Sequence, residues 1–241
     1  MASTDRNTIQ YRIDKMRTGY IFTSSDFYDC VNSPVVVSRI LGELVREGRI
    51  RRVGKGKFDK PKHSAFGTMP PSLDWLLQGY LMDGKKVIGY ITGVQAYAQL
   101  GLTTQISSTV SIGCNTYRRA VQRAGYTVRF VLQPNTITRK NIPLLQMLDA
   151  MRFIKQIPAC TAEEACRILR LKVASLPAED RHLLASLSMA YTGSVRALAG
   201  AMLDETDTDT QDICHSLNPV TVYKLGLSES VLPNAKKWRI V

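Results

Sequence analysis

Apolar residues recur at helical spacing from the start of the chain. Ile9, Ile13 and Met16 share one face of a segment over 5–17, with Gly19 just past its end. Gly19-Tyr20-Ile21-Phe22 reads as a short strand. Thr23-Ser24-Ser25-Asp26 has the hydroxyl-x-x-acid arrangement of a helix start, with the Thr23 hydroxyl open to a backbone N–H, and the brief helix it begins ends before Asn32. Ser33-Pro34 signals the next helix: Ser33 caps it, and Pro34 takes the first helical position, where a missing N–H is harmless. Val37, Ile40, Leu41, Leu44 and Val45 form its apolar face, which stops at Gly48. Residues 49–60 then alternate around Gly54-Lys55-Gly56, with Ile50, Val53 and Phe58 inward, the pattern of a hairpin. Helix, short strand, short helix, helix and basic hairpin within about 60 residues is the order of a winged helix-turn-helix.

Residues 61–71 are rich in Pro, Gly and small polar residues and read as a connector. Beyond it the pattern predicts a helix over 72–82, strands over 87–91, 109–112 and 126–132, and a helix over 93–100. Four helices follow, over 142–156, 161–174, 178–191 and 194–204, punctuated by Pro158, Pro177 and Gly193. The tail after Asn218 reads as short turns and short apolar pieces. The expected class is α+β: a winged helix-turn-helix over 1–60, the connector, and a mixed, mainly helical domain with a small sheet over 72–241.

Charge sharpens this picture. The 241 residues hold 32 Lys and Arg against 20 Asp and Glu, a formal net charge of +12, with 44% hydrophobic residues. That composition is globular, and the excess points to a polyanion, most often nucleic acid, less often an acidic membrane surface. Residues 1–60 carry 12 basic and 7 acidic side chains, residues 61–135 carry 7 and 2, and residues 136–241 carry 13 and 11. A polyanion is therefore expected to meet the N-terminal half first. No apolar run approaches the roughly 18 residues of a membrane span, and the N-terminus lacks the apolar core of a signal peptide. Five cysteines without paired spacing suit a reducing compartment, so a cytoplasmic protein with no membrane partner is expected.

Residues suited to DNA cluster in the N-terminal segment. Ser33, Val35, Val36, Ser38 and Arg39 lie in the first turns of the second long helix, the part of a recognition helix that enters a major groove. Arg49, Arg51, Arg52, Lys55, Lys57 and Lys60 line the hairpin, where cations can follow a phosphate backbone. A winged helix can equally dock proteins, and a basic hairpin can be merely solvated. Arg118, Arg119 and Arg123, beside Tyr117 and Tyr126, form either a second phosphate-contacting patch or a solvated face. Other chemistry is not signalled. Gly54-Lys55-Gly56 lacks the spacing of a nucleotide-phosphate loop, and Asp204, Glu205, Asp207, Asp209 and Asp212 lack the turn glycine and terminal Glu of a calcium loop. Cys160, Cys166, His182 and His215 do not have zinc-ligand spacing, and no catalytic or dinucleotide fingerprint occurs. No catalytic residue, metal or cofactor is expected.

Four segments carry a family resemblance. The helix-to-hairpin run from Arg39 to Phe58 resembles the L-x-x-G-x-I-x-R-x-x-x-G segment of AbiEi-type antitoxins. Gly89-Tyr90-Ile91-Thr92-Gly93 with Leu100-Gly101-Leu102-Thr103-Thr104-Gln105 resembles their G-x-x-A-x-x-x-L-G-L-T-x-Q segment. Gly193-Ser194-Val195-Arg196-Ala197-Leu198-Ala199-Gly200-Ala201 resembles the R-A-L-L-G-A helix, and Asn218-Pro219-Val220-Thr221-Val222-Tyr223-Lys224-Leu225-Gly226-Leu227 with Trp238 resembles the family's ending. The resemblance implies an antitoxin of a type IV toxin–antitoxin, or abortive-infection, system. Such a protein represses its own operon by binding promoter inverted repeats in double-stranded DNA, and it neutralises a cognate nucleotidyltransferase-like toxin without a stable complex. The alternatives are a stand-alone winged-helix regulator whose C-terminal domain senses a ligand or dimerises, and an enzyme delivered to nucleic acid by its winged helix.

Overall fold

Ile9 and Ile13 need a helix to share one face, and α1 (Ala2–Lys15) supplies it, burying both while Met16 packs beside them. The computed structural model describes residues 2–18, 20–31, 33–64, 67–69, 73–84, 86–123 and 125–241. Of the expected markers, Gly19, Asn32 and the connector positions Ala65, Phe66, Pro70 and Pro71 lie outside the described residues, as does Ser72. The chain divides into two units, Met1–Gly79 and Tyr80–Val241.

In the first unit, strand β1 (Ile21–Thr23) leads into a 3₁₀ turn, Ser24–Phe27. The helix start expected here is present as a capping box between Thr23 and Asp26. The Asp26 carboxylate accepts from the Thr23 N–H at 2.6 Å and from the Thr23 hydroxyl at 3.1 Å. Helix α2 (Pro34–Arg46) follows, and the Ser33 hydroxyl accepts from the Val36 N–H at 3.4 Å. Val37, Ile40, Leu41 and Leu44 are buried, and Gly48 turns the chain away at φ +72°, a conformation that favours glycine. Strands β2 (Arg51–Gly54) and β3 (Lys57–Asp59) form the hairpin, and β3 pairs with both β1 and β2 in an antiparallel sheet ordered β1-β3-β2. Phe22, Phe27 and Phe58 meet beneath it, with ring centroids 5.6 and 6.2 Å apart. Val53, expected inward, is only half-buried. The connector is not wholly irregular: β4 (Lys62–Ser64) and β5 (Gly67–Met69) pair antiparallel. Neither strand has the alternating apolar pattern that would announce it.

Helix α3 (Leu73–Leu81) spans the boundary between the units. The expected strand over 87–91 is two pieces, β7 (Lys86–Val87), paired with β6 (Met82–Asp83), and β8 (Gly89–Thr92). After α4 (Val94–Gln99) come β9 (Thr109–Cys114), β10 (Val121–Arg123) and β11 (Tyr126–Leu132). The sheet order is β10-β11-β9-β8, with β9 and β11 parallel and the outer pairings antiparallel. The helical half is α5 (Ile142–Arg152), a 3₁₀ turn over Ile154–Gln156, α6 (Ala162–Ser175), α7 (Ala178–Ser188), α8 (Gly193–Leu203) and α9 (Gln211–His215). Helix α8 is the centre of this half, with every residue from Ala197 to Leu203 buried. The tail folds back on the bundle, bridging Tyr223 to Ile240 and burying Trp238. The result is a mixed α+β architecture with small sheets. Among the described residues no helix is long and apolar enough to cross a membrane, and all five cysteines are free thiols.

Candidate nucleic-acid interface

Three consecutive valines open α2 in three different environments. Val37 is fully buried, Val36 packs partly against the core, and Val35 is 78% exposed. Val35 belongs to an outward stripe with Ser38, Arg39, Gly42 and Arg46, at helical spacing on the side opposite the core. A Cβ placed on Gly42 would meet nothing within 4 Å, so the middle of this stripe is bare backbone open to solvent. Ser33 serves as the cap, and its hydroxyl is occupied by the Val36 N–H.

Arg39 is partly committed. Its guanidinium lies 3.4 Å from Glu43, whose other oxygen is 3.3 Å from Arg6, and Arg6 also holds Glu47 at 2.6 Å. This chain of charges ties α1 to α2 along the exposed stripe. Arg46 has no ion pair among the described residues.

The hairpin cations divide sharply. Register places Arg51 opposite Asp59, and the guanidinium grips that carboxylate with two contacts, at 3.1 and 2.6 Å. Asp59 is fully buried, so Arg51 neutralises a charge that water cannot reach. Lys60 donates to the Asp14 carbonyl at 2.7 Å, and Arg52 lies 5.9 Å over the Phe58 ring while remaining exposed. Arg49, Lys55 and Lys57 are exposed, with no ion pair among the described residues. Lys55 sits at the tip beside Gly56, whose φ of +67° makes the narrow turn. The structure thus brings the predicted wing cations onto one hairpin and gives Arg51 and Lys60 internal partners.

The arginines of the second unit also separate. The Arg118 guanidinium lies over both Tyr80 and Phe130, at 6.0 and 5.8 Å, and is half-buried. Arg119 and Arg123 are exposed, Arg123 on the edge strand β10, and Tyr117 beside them is 83% exposed. Residues 84–148 contain no Asp or Glu at all, a signal the regional charge count blurs.

A polar cluster of the second unit was not signalled as a site in the sequence, although Tyr90 and Thr92 lie in the Gly89–Gly93 segment singled out there. Asp149 on α5 is buried, and its carboxylate accepts from the hydroxyls of Tyr90 at 2.6 Å, Thr92 at 2.8 Å and Tyr191 at 3.0 Å. Gln133 donates to both tyrosine oxygens at 2.7 Å. Burial raises the Asp149 carboxyl above the ordinary aspartate range, against the pull of these donors, and raises both tyrosines further from ionisation. The cluster joins β8, the end of β11, α5 and the α7–α8 turn. Its polar groups bond one another, which makes it a structural clamp. The first two acids of the run after α8 are likewise employed internally: Asp204 holds Lys237 at 2.6 Å, and Glu205 holds Arg170 at 2.7 Å. Among the described residues no three His, Cys, Asp or Glu side chains group to hold a metal ion.

A family described as "Family of unknown function (DUF6088)" matches residues 8–162, which include all of α2, the hairpin and the four-stranded sheet. No curated protein matches the sequence. Among solved structures, that of RV2827C protein from Mycobacterium tuberculosis is similar at 13% identity, covering 90% of this chain and 83% of that one, with a TM-score of 0.47.

Proposed function

The chain belongs to the DUF6088 family, whose function is unknown, and we propose that it is a non-enzymatic DNA-binding autorepressor and antitoxin. In this reading the first unit is a winged helix-turn-helix. Helix α2 enters the major groove of promoter inverted repeats, and the β2–β3 hairpin lies along the phosphates. What carries the reading is one juxtaposition: a bare, outward helix stripe on the same small unit as a thin hairpin bearing Arg49, Arg52, Lys55 and Lys57. The sequence resemblance extends it to neutralising a nucleotidyltransferase-like toxin encoded beside it, without a stable complex, in the cytoplasm.

The first test is binding to the duplex upstream of the protein's own coding region across a salt series. Affinity falls log-linearly with salt if phosphates are contacted, and no binding at low salt removes the DNA reading. The second test is growth rescue on co-expression with the neighbouring gene. A stand-alone regulator is the second reading, favoured by an open groove of about 640 Å³ on the second unit, lined by His182, Met189, Asp209, Asp212 and His215 among others. Duplex binding without growth rescue selects it.

A further inference from the structure

Folding gives no reason for Val35. A β-branched residue loses rotamer freedom in a helix and is compensated by packing, yet this side chain is 78% exposed at the second position of α2. Polar or acidic residues suit a first helical turn better, and α2 has no acid there. The flanking valines show what the usual compensation is, since Val37 is fully buried and Val36 packs partly against the core. The neighbours of Val35 on the stripe are Ser38, Arg39 and Gly42, all polar or bare. An exposed apolar side chain is thus held rigidly among hydrogen-bonding groups, on the helix face open to a partner.

We infer that Val35 is a specificity-determining residue that reads the C5-methyl of a thymine in the major groove. This rests on the proposal that α2 is a recognition helix. The chemistry fits at each point. The thymine methyl is the one apolar feature of the major-groove edge, and a short branched aliphatic side chain is its complement. Its neighbour Ser38 offers a hydroxyl for an adjacent base edge, and Arg39 a guanidinium steadied by Glu43. Gly42, one turn further, keeps side-chain bulk out of the space between helix and duplex. Val35 is the only stripe residue whose partner must be apolar.

The experiment selects binding duplexes from a random-sequence library with the full chain, then replaces each thymine of the selected motif by deoxyuridine. That change removes only the methyl group. At least one replacement is expected to weaken wild-type binding about fourfold, the effect of roughly 0.8 kcal/mol for one buried methyl. Val35→Ala, whose exposed position leaves folding intact, binds the thymine and deoxyuridine duplexes equally, while Val35→Ile keeps the difference. A wild type indifferent to every replacement, or a Val35→Ala variant as sensitive as wild type, overturns the inference and leaves DNA binding standing. Failure to enrich any duplex at low salt removes the DNA reading and this inference with it.

Discussion

At Gly200 the absence of a single Cβ decides where the chain's tail can lie. A Cβ there would stand 2.2 Å from the Trp238 ring, which is itself 1% exposed. The same relation recurs between Gly193 and Tyr223, where the distance would be 2.7 Å, and between Gly113 and Tyr90, at 2.4 Å. The glycines of helix α8 and the aromatics of the C-terminal segment are therefore packing partners. Gly200→Ala is expected to lower stability by about 1–3 kcal/mol through overpacking, read as an earlier urea midpoint. An unchanged midpoint would mean that the tail is free to move aside. Trp238 also donates to Asp204 at 3.2 Å, and this gives the tail a pH dependence. Burial alone would raise the Asp204 carboxyl, but hydrogen bonds from Lys237, Trp238 and Asn234 outweigh it and hold the group below its ordinary value. Its contribution is present above the unfolded value of about 3.9 and disappears as pH falls through the lower folded one. Asp149 has the opposite sign: raised by burial, it favours the folded state in acid and loses that advantage as pH rises through its folded value. Asp204→Asn should therefore flatten the acid limb of a plot of melting temperature against pH.

Among the elements, those with both a periodic apolar face and a terminal signal were legible. Helix α2 has its cap, its proline and four buried positions where the pattern puts them, and β11 occupies the expected residues 126–132. Elements that are very short, or set by pairing or packing elsewhere in the fold, were not. Strand β10 is three residues with one apolar side chain, α9 is five residues long, and the expected helix over 142–156 breaks at Phe153, whose φ of −110° leaves the helical region. The candidate interface was legible by residue type but not by employment. Arg51 and Lys55 look alike in sequence, and only strand register places a buried carboxylate opposite Arg51. That difference is measurable. Lys55→Ala and Lys57→Ala should each lower the salt slope of duplex binding by about one and leave stability unchanged. Arg51→Ala strands Asp59 without its guanidinium and should cost about 3–5 kcal/mol of stability. If all three variants melt like the wild type, the Arg51–Asp59 pair does not support the sheet.

At the scale of the whole molecule, the two units have separate cores, and both are net positive. The first core gathers Ile9, Phe22, Phe27, Leu41 and Leu44, and the second gathers Leu145, Leu148, Leu169, Leu198 and Trp238, with no residue in common. The exposed hairpin cations that form no ion pair among the described residues belong to the first unit, Arg119 and Arg123 are exposed on the second, and the second unit's Asp204 and Glu205 are bound within it. The proposed function predicts a division of labour, with operator recognition in the first unit and antitoxicity in the second. The cut that tests it must respect α3, because Tyr80 near the end of that helix packs on Phe130, their ring centroids 5.2 Å apart. A fragment beginning at residue 73 keeps the helix, the sheet and the whole of the second core. It is expected to unfold cooperatively, to restore growth when co-expressed with the neighbouring gene, and to lose binding to the upstream duplex. Full-length protein carrying Lys55→Ala and Lys57→Ala should rescue growth as well while binding the duplex weakly, so that loss of repression and loss of neutralisation come apart in two independent ways. A fragment that unfolds cooperatively yet fails to rescue would place antitoxicity in the first unit or in DNA binding itself, and rescue lost in the double variant would decide for the latter.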